Sequence, residues 1–162
     1  MLDFSEAQLR ASFLNVSQRE RANIVVPSRD AVRWDDLDYL GWRDRKQPQL
    51  GYVITELDGA PCGVLLRQAE ASPRARAQCS WCEDVQLPND VVFFSAKRGG
   101  SAGRDGNTIG TLVCANFECS ANVRKQPTMA YLGFDVEAER LRRIAALRTR
   151  AQEFVRRIRD GD

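Results

Sequence analysis

Four of the five cysteines stand in two closely spaced pairs. Cys79 and Cys82 enclose two residues, Cys114 and Cys119 enclose four, and 31 residues separate the pairs. Zinc accepts four cysteine thiolates in a tetrahedron, at about 2.3 Å from the metal. A connection of that length is long enough for one β-hairpin, and folding it would bring the two pairs together. The spacing therefore predicts one zinc ion held by these four cysteines.

A redox role is the alternative for these thiols, because a single C-x-x-C pair also serves thiol–disulfide exchange. A site of the thioredoxin type would lie between a strand and a helix, whereas the segment after Cys82 leads into a predicted hairpin. Zinc binding is therefore the favoured interpretation. Four thiolates would complete the coordination sphere and leave no position for a water molecule, so the predicted site is structural rather than catalytic.

The chain contains no histidine, which removes the usual general base near neutral pH. Ser-His-Asp and Cys-His arrangements are thereby excluded. The glycine-rich run Lys97–Gly106 lacks the Gly-Lys-Ser/Thr of a phosphate-binding loop, and it connects two predicted strands. We therefore predict a binding protein with no small-molecule substrate, rather than an enzyme.

Two pairs of strands and several helices would position the cysteines. Strands over residues 51–57 and 61–66 flank Asp58-Gly59, a hairpin signal. Strands over residues 91–96 and 108–113 flank the glycine-rich run Lys97–Gly106, which we call the basic loop. Ser5 and Ser17 are predicted N-caps of two short helices. Cys62 is predicted to be a small buried residue. A long amphipathic helix is predicted from apolar residues at steps of three and four: Val136, Leu141, Ile144, Leu147, Ala151, Phe154 and Ile158.

Trp34 and Trp42 border a cluster of aromatic and acidic residues. Such a cluster could be an exposed ligand surface, but it more often packs a loop against the core, and packing is the favoured interpretation.

The net charge of +2 hides an uneven distribution, because the last helix is rich in arginine and most acids lie elsewhere. This distribution suggests an acidic or polyanionic partner for one face, although a solvated helix surface explains it equally well. The chain carries an acid near its start, at Asp3, which is not typical of a signal peptide. No apolar run approaches the about 18 residues of a membrane span. We therefore expect no signal peptide, no membrane association and a cytoplasmic location.

Three stretches together resemble a known family: Asp38–Asp44, Gly63–Arg67, and the two cysteine pairs with Val92-Phe93-Phe94 between them. They look like the FBP-type C-terminal treble-clef zinc-finger family, which includes the elongation factor G-binding proteins of the FusB fusidic-acid-resistance type. The resemblance spans roughly residues 34–133. It implies an α+β fold: a treble-clef-like zinc finger with β-hairpins, short N-terminal helices and a long C-terminal amphipathic helix. The predicted segments are residues 1–33, 34–134 and 135–162.

The resemblance implies binding to elongation factor G and release of that factor from the ribosome, including when fusidic acid has trapped it there. The family's zinc ligands transfer onto Cys79, Cys82, Cys114 and Cys119. We expect Lys97, Arg98, Arg104 and Phe117 to form part of the contact surface, although the loop could instead be a mobile hairpin tip.

An alternative function is a ribosome- or RNA-binding zinc protein. It would use the basic loop and the arginine-rich helix to contact phosphates. The sequence pI of 8.3 argues mildly against a dedicated RNA binder. The helix could also bind a partner or a second copy, but its apolar stripe more simply packs on the finger domain.

Overall fold

A five-stranded antiparallel sheet, with its strands in chain order, forms the centre of the fold. The computed structural model describes residues 4–70, 77–84, 89–127 and 131–161. The strands are β1 (Leu40–Arg43), β2 (Leu50–Leu57), β3 (Ala60–Gln68), β4 (Val91–Lys97) and β5 (Thr108–Cys114). The four predicted strands are confirmed, whereas β1 was not predicted. The sequence also predicts a polar connection over residues 70–78, between the first hairpin and the cysteines, and most of it lies outside the described residues.

Five α-helices accompany the sheet in the described parts of the chain: α1 (Glu6–Ala11), α2 (Gln18–Asn23), α3 (Gly100–Arg104), α4 (Cys119–Arg124) and α5 (Val136–Asp160). Ser5 and Ser17 cap α1 and α2, each in a capping box with the third helical residue, as predicted. Two 3₁₀ turns, Arg29–Ala31 and Trp34–Asp36, precede β1. Together with the sheet, these helices confirm the predicted α+β fold. The run Lys97–Gly106 was predicted as a loop, and α3 forms within it.

The β2–β3 hairpin turns at Asp58 and Gly59, whose φ angles are +53° and +77°. Two consecutive left-handed residues match a type I′ turn, which suits the twist of an antiparallel hairpin. The predicted hairpin is thus confirmed, with Leu57 paired to Ala60.

The N-terminal segment fills an opening between β3 and β4. These strands share only two register pairs, Arg67 with Ser95 and Gln68 with Phe94. Where they separate, Phe13 forms an isolated parallel bridge with Gly63. Thus the chain before α2 continues the hydrogen bonding of β3 where β4 is absent.

The two faces of the sheet support different groups of buried side chains. Val53 of β2 belongs to one cluster with the buried residues of α5 and the cysteines. Its neighbours Tyr52 and Ile54 belong to a second cluster with the N-terminal helices. This alternation follows from the period of two along a strand. The N-terminal segment and α5 therefore both pack on the central sheet.

The aromatic cluster packs, as the favoured interpretation predicted. Trp42 stacks on Tyr52 with ring centroids 5.1 Å apart, and Phe13 contacts Trp42 edge-on at 6.3 Å. Trp34 packs, partly buried, against the same N-terminal cluster.

The long helix α5 is confirmed with 25 residues, and Asp135 caps its first turn. Its apolar stripe faces the core at Leu147, Ala151, Phe154, Val155 and Ile158. None of the helices in the described ranges is long and apolar enough to cross a membrane.

Candidate metal centre

The four paired cysteines meet in one buried cluster, as the spacing predicted. Their Sγ atoms all lie within 4.8 Å of one another. The Sγ atoms of Cys79 and Cys119 are 3.6 Å apart, and those of Cys82 and Cys114 are 3.7 Å apart. Ligands at about 2.3 Å on a tetrahedron have edges of about 3.8 Å. The donor set and its size therefore fit one zinc ion.

The first pair lies on a tight turn. The Glu83 N–H donates to the Cys79 carbonyl at 3.0 Å, and Glu83 has a φ of +51°. The backbone N–H groups of Trp81 and Cys82 point at the Sγ of Cys79, at 3.4 and 3.5 Å. Such N–H donors stabilise negative charge on a thiolate. The Ser80 N–H donates to the Leu112 carbonyl at 2.8 Å, which fastens this turn to β5.

The second pair begins at the end of β5 and ends at the first residue of α4. Between them, Phe117 takes a φ of +62° and its N–H donates to the Cys114 carbonyl at 2.9 Å. This left-handed residue reverses the chain, so that Cys119, the first residue of α4, lies beside Cys79 of the first pair. Asn122, three residues into α4, directs its side-chain amide to the Sγ of Cys114 at 3.5 Å.

Electrostatics in the cluster favour binding of a cation. Hydrogen bonds from Cys114 and Cys119 lower the pKa of the Cys79 thiol. Hydrogen bonds with Cys114 and Cys79 raise the pKa of the Cys119 thiol. One thiol therefore ionises readily, while the accumulating negative charge opposes ionisation of the last. A divalent cation compensates that charge, and zinc, when bound, would join the turn, β5 and α4 into one cross-linked unit.

An aromatic shell closes the centre. The Trp81 ring lies between Tyr39, 5.0 Å away and edge-on, and Phe154 of α5, 5.5 Å away. The Tyr39 hydroxyl donates to the Phe117 carbonyl at 3.3 Å. Burial, reinforced by the negative charge of Cys119, raises the pKa of Tyr39 well above its usual range. Since all four ligands are buried, the site suits structure rather than substrate binding.

Two arginines of α5 hold the first cysteine turn against the helix. Arg150 donates to the Trp81 carbonyl at 3.1 Å and to the Glu83 carboxylate at 2.6 Å. Arg143 donates to the Asp84 carboxylate at 3.1 Å. Glu83 and Asp84, which no sequence feature separated from ordinary surface acids, are thus anchors of the metal-binding turn.

Of the four residues expected to contact a partner, Phe117 does not lie on the surface. Phe117 is only 6% exposed, and its ring stacks on Phe94 at 5.3 Å inside the core. A buried ring is unavailable to a partner, so Phe117 is removed from the predicted contact surface. Lys97 and Arg104 are exposed.

Arg98 has a structural contact of its own at the end of α5. Its guanidinium donates to the Arg157 carbonyl at 3.0 Å. The next residue, Gly99, donates its N–H to the Ile158 carbonyl at 2.8 Å. The basic loop therefore satisfies carbonyl groups that the last turn of a helix leaves without an intrahelical partner.

Sequence reasoning missed Tyr39 and Asn122 beside the metal ligands. For Asn122 a signal existed, because it follows Cys119 by three residues, the spacing of neighbours on one helix face. Tyr39 lies 40 residues before the first ligand, and no spacing rule connects it to the cluster.

Comparison with known proteins agrees with this architecture. The solved structure of the fusidic acid resistance protein FusC superposes with a TM-score of 0.54 at 20% identity. The match covers 75% of this chain and 54% of the FusC chain, so the chain spans about half the length of that relative. At this identity the likeness shows a shared fold. Among curated proteins, none matches the chain. The FBP C-terminal treble-clef zinc-finger family matches residues 8–158, a longer stretch than residues 34–133 that carry the resemblance, and the chain belongs to that family.

Proposed function

We propose that this protein binds elongation factor G and promotes its release from the ribosome. The observation that carries the proposal is membership of the FBP zinc-finger family over residues 8–158. The fold shared with a fusidic acid resistance protein supports it. Because that factor works on cytoplasmic ribosomes, the proposal places the protein in the cytoplasm.

The proposed activity needs a rigid binding surface rather than a reaction. The four candidate ligands are buried and would fill the coordination sphere of one zinc ion. A protein that binds one conformation of its partner more tightly than another shifts the partner's equilibrium by that difference in affinity. A surface that is already ordered avoids the entropic cost of ordering on binding. The metal centre would supply that order, and resistance to fusidic acid would follow if the factor is released from the trapped state.

The contact surface remains a proposal. Lys97 and Arg104 are exposed near the tip of the β4–β5 hairpin and are retained as contact residues. Arg98 is retained only in part, since one of its nitrogens binds the end of α5.

The RNA-binding alternative loses most of its support on α5. Six of the eight arginines that would contact phosphates form salt bridges with carboxylates: Arg140, Arg142, Arg143, Arg148, Arg150 and Arg159. A phosphate would have to displace those carboxylates. The helix therefore uses its charge within the fold.

Capture of purified components tests the proposed function. The zinc-loaded protein is immobilised and offered elongation factor G, or ribosomes, at about 50 and about 200 mM salt. We expect capture of the factor without ribosomes at both salt concentrations. Capture of ribosomes alone, lost at the higher concentration, would instead support RNA binding and overturn the proposal.

A further inference from the structure

A groove of about 550 Å³ lies beside the opening between β3 and β4. Four cationic residues from separate parts of the sheet and the basic loop line it: Arg67, Lys97, Arg98 and Arg104. The segment between α1 and α2 forms the opposite wall with Leu14, Asn15 and Val16. We call this space the basic groove.

The basic groove exists because of the way β3 and β4 separate. The Asn15 side chain accepts from the Leu65 N–H at 2.8 Å and donates to the Leu65 carbonyl at 3.0 Å. The same amide donates to the Lys97 carbonyl at 3.0 Å. One side chain thus bridges the two strands where their own ladder stops. The groove wall is therefore built from tertiary contacts rather than from a free loop.

Most of the positive charge in the basic groove is not paired within the fold. Within the described ranges, the side chains of Arg67, Lys97 and Arg104 form no salt bridge. Glu20 is the one carboxylate among the lining residues. It accepts from the N–H and the hydroxyl of Ser17, both at 2.8 Å, and so serves the cap of α2. Those hydrogen bonds lower the pKa of Glu20, and the charges of Lys97 and Arg67 lower it further, so this carboxylate offsets part of the positive charge. This is the opposite of α5, where most arginines are paired.

The uncharged part of the lining narrows the class of ligand. Leu14, Val16 and Leu65 are half-buried and apolar, and Ser95 and Thr108 add hydroxyl groups. No aromatic side chain is among the lining residues. Proteins that bind single-stranded nucleic acid usually add aromatic platforms on which bases stack. Cations beside an apolar wall suit a peptide that has both carboxylates and apolar side chains.

We propose that the basic groove binds an acidic segment of the protein partner, a run in which aspartate or glutamate alternates with apolar residues. The partner's identity rests on the proposed function, whereas the chemistry rests on the groove. The carboxylates would contact Arg67, Lys97 and Arg104, and the apolar side chains would contact the wall formed by Leu14 and Val16. Complementary charge of this kind also speeds association.

A charge-reversal variant tests the proposal in the full-length, zinc-loaded protein. Arg67→Glu with Lys97→Glu changes two exposed side chains in the groove. Arg45→Glu with Lys46→Glu makes the same change in charge on the exposed β1–β2 connection. We expect the groove variant to lower the affinity for elongation factor G by about tenfold or more and to reduce its salt dependence. The control variant should change affinity less than about twofold.

Two probes, a peptide and an RNA, distinguish between the classes of ligand that the basic groove could bind. Amide spectra of the protein are recorded with a short synthetic peptide that alternates glutamate and leucine, and with a single-stranded RNA oligonucleotide. The peptide should shift the signals of Asn15, Leu65 and Thr108 in the wild type but not in the groove variant. Shifts produced by RNA alone, or by neither probe, would overturn the groove assignment.

The two proposals can fail separately. If the wild type and the groove variant bind elongation factor G equally well, the groove assignment is wrong and the proposed function stands. If the wild type binds the peptide in the groove but does not bind the factor, the groove assignment stands and the proposed function fails.

Discussion

Asp38 and Arg124 form a salt bridge in which the carboxylate is completely buried and the guanidinium is 22% exposed. Asp38 precedes β1, while Arg124 ends α4, the helix that begins with Cys119. Arg148 of α5 approaches the same carboxylate at 3.3 Å, and the Asp38 N–H donates to the Ser120 hydroxyl at 3.1 Å. This one residue therefore joins the sheet, α4 and α5 beside the metal centre.

Replacing Asp38 should destabilise the protein strongly. In Asp38→Ala, Arg124 loses its buried partner, and we expect the free energy of unfolding to fall by about 3 kcal/mol. Arg148→Ala is the matched control, because its side chain is 52% exposed and its removal leaves Arg124 with Asp38. Its cost should stay below about 1 kcal/mol. Urea unfolding measures both values, and equal losses in the two variants would contradict the central role of Asp38.

Removal of the metal should unfold the region that it cross-links. A structural zinc site contributes about 10–16 kcal/mol in finger peptides, as much as the about 5–15 kcal/mol that stabilises an average domain. Chelation is therefore expected to collapse the amide dispersion of at least residues 79–125. An apo protein with unchanged dispersion there would show that the thiols alone maintain the fold.

The fifth cysteine provides the control for that experiment. Cys62 is buried in β3 and lies outside the four-cysteine cluster. Cys62→Ala should keep one zinc per chain by elemental analysis, whereas Cys114→Ser should lose most of it because a neutral hydroxyl is a poor substitute for a thiolate.

Local sequence signals predicted the parts of this fold that depend on local geometry. Ser5 and Ser17 mark helix starts because a cap binds an N–H only three residues away. Asp58-Gly59 marks a hairpin because both residues tolerate positive φ. The cysteine pairs predicted the metal centre because two short spacings restrict where four sulfur atoms can meet.

Other features depend on partners that are distant in sequence and could not be predicted. Asn15 binds residues 50 and 82 positions away. Asp38 binds arginines 86 and 110 positions away. Phe117 looked like a surface residue near a basic loop, yet its left-handed backbone turns the ring into the core. Only the folded chain shows these relationships.

Space for the Phe117 side chain depends on Gly41 of β1 and Gly51 of β2. A Cβ at Gly51 would lie 2.6 Å from the Cζ of Phe117, which is held in the core. We expect Gly51→Ala to cost about 1–3 kcal/mol through overpacking. Adding Phe117→Leu, which shortens the side chain, should recover part of that loss. Urea unfolding of the two single variants and the double variant gives the coupling energy, which should be about 1 kcal/mol.

Gly110 supplies the comparison for Gly51. Its Cβ would also meet a phenylalanine ring, that of Phe93, but this ring is 41% exposed and can turn into solvent. Gly110→Ala should therefore be tolerated better than Gly51→Ala. A larger loss at Gly110 would mean that burial of the facing ring does not determine the cost.

The hydrogen bonds from Arg150 to the metal-binding turn should slow the release of zinc. Arg150→Ala removes the hydrogen bonds to Trp81 and Glu83, of which the one to the backbone is the better shielded. We expect zinc transfer to a chromogenic chelator to become about fivefold faster, a change of about 1 kcal/mol. Arg142→Ala on the same helix is the control, since the Arg142 guanidinium donates two hydrogen bonds to Glu139 of that helix, both at 2.7 Å, and neither goes to the metal-binding turn. Equal acceleration in both variants would point to a general effect of helix charge.

The basic loop should affect the stability of α5 through Arg98 and not through Arg104. Arg98→Ala removes a cationic donor from the Arg157 carbonyl at the negative end of the helix. We expect a loss of about 1 kcal/mol and faster amide exchange over Phe154–Asp160. Arg104→Ala, whose side chain is exposed, should leave both quantities unchanged. If Arg98→Ala does not accelerate exchange in the last turn, then the Gly99 N–H alone is sufficient to hold that end of the helix.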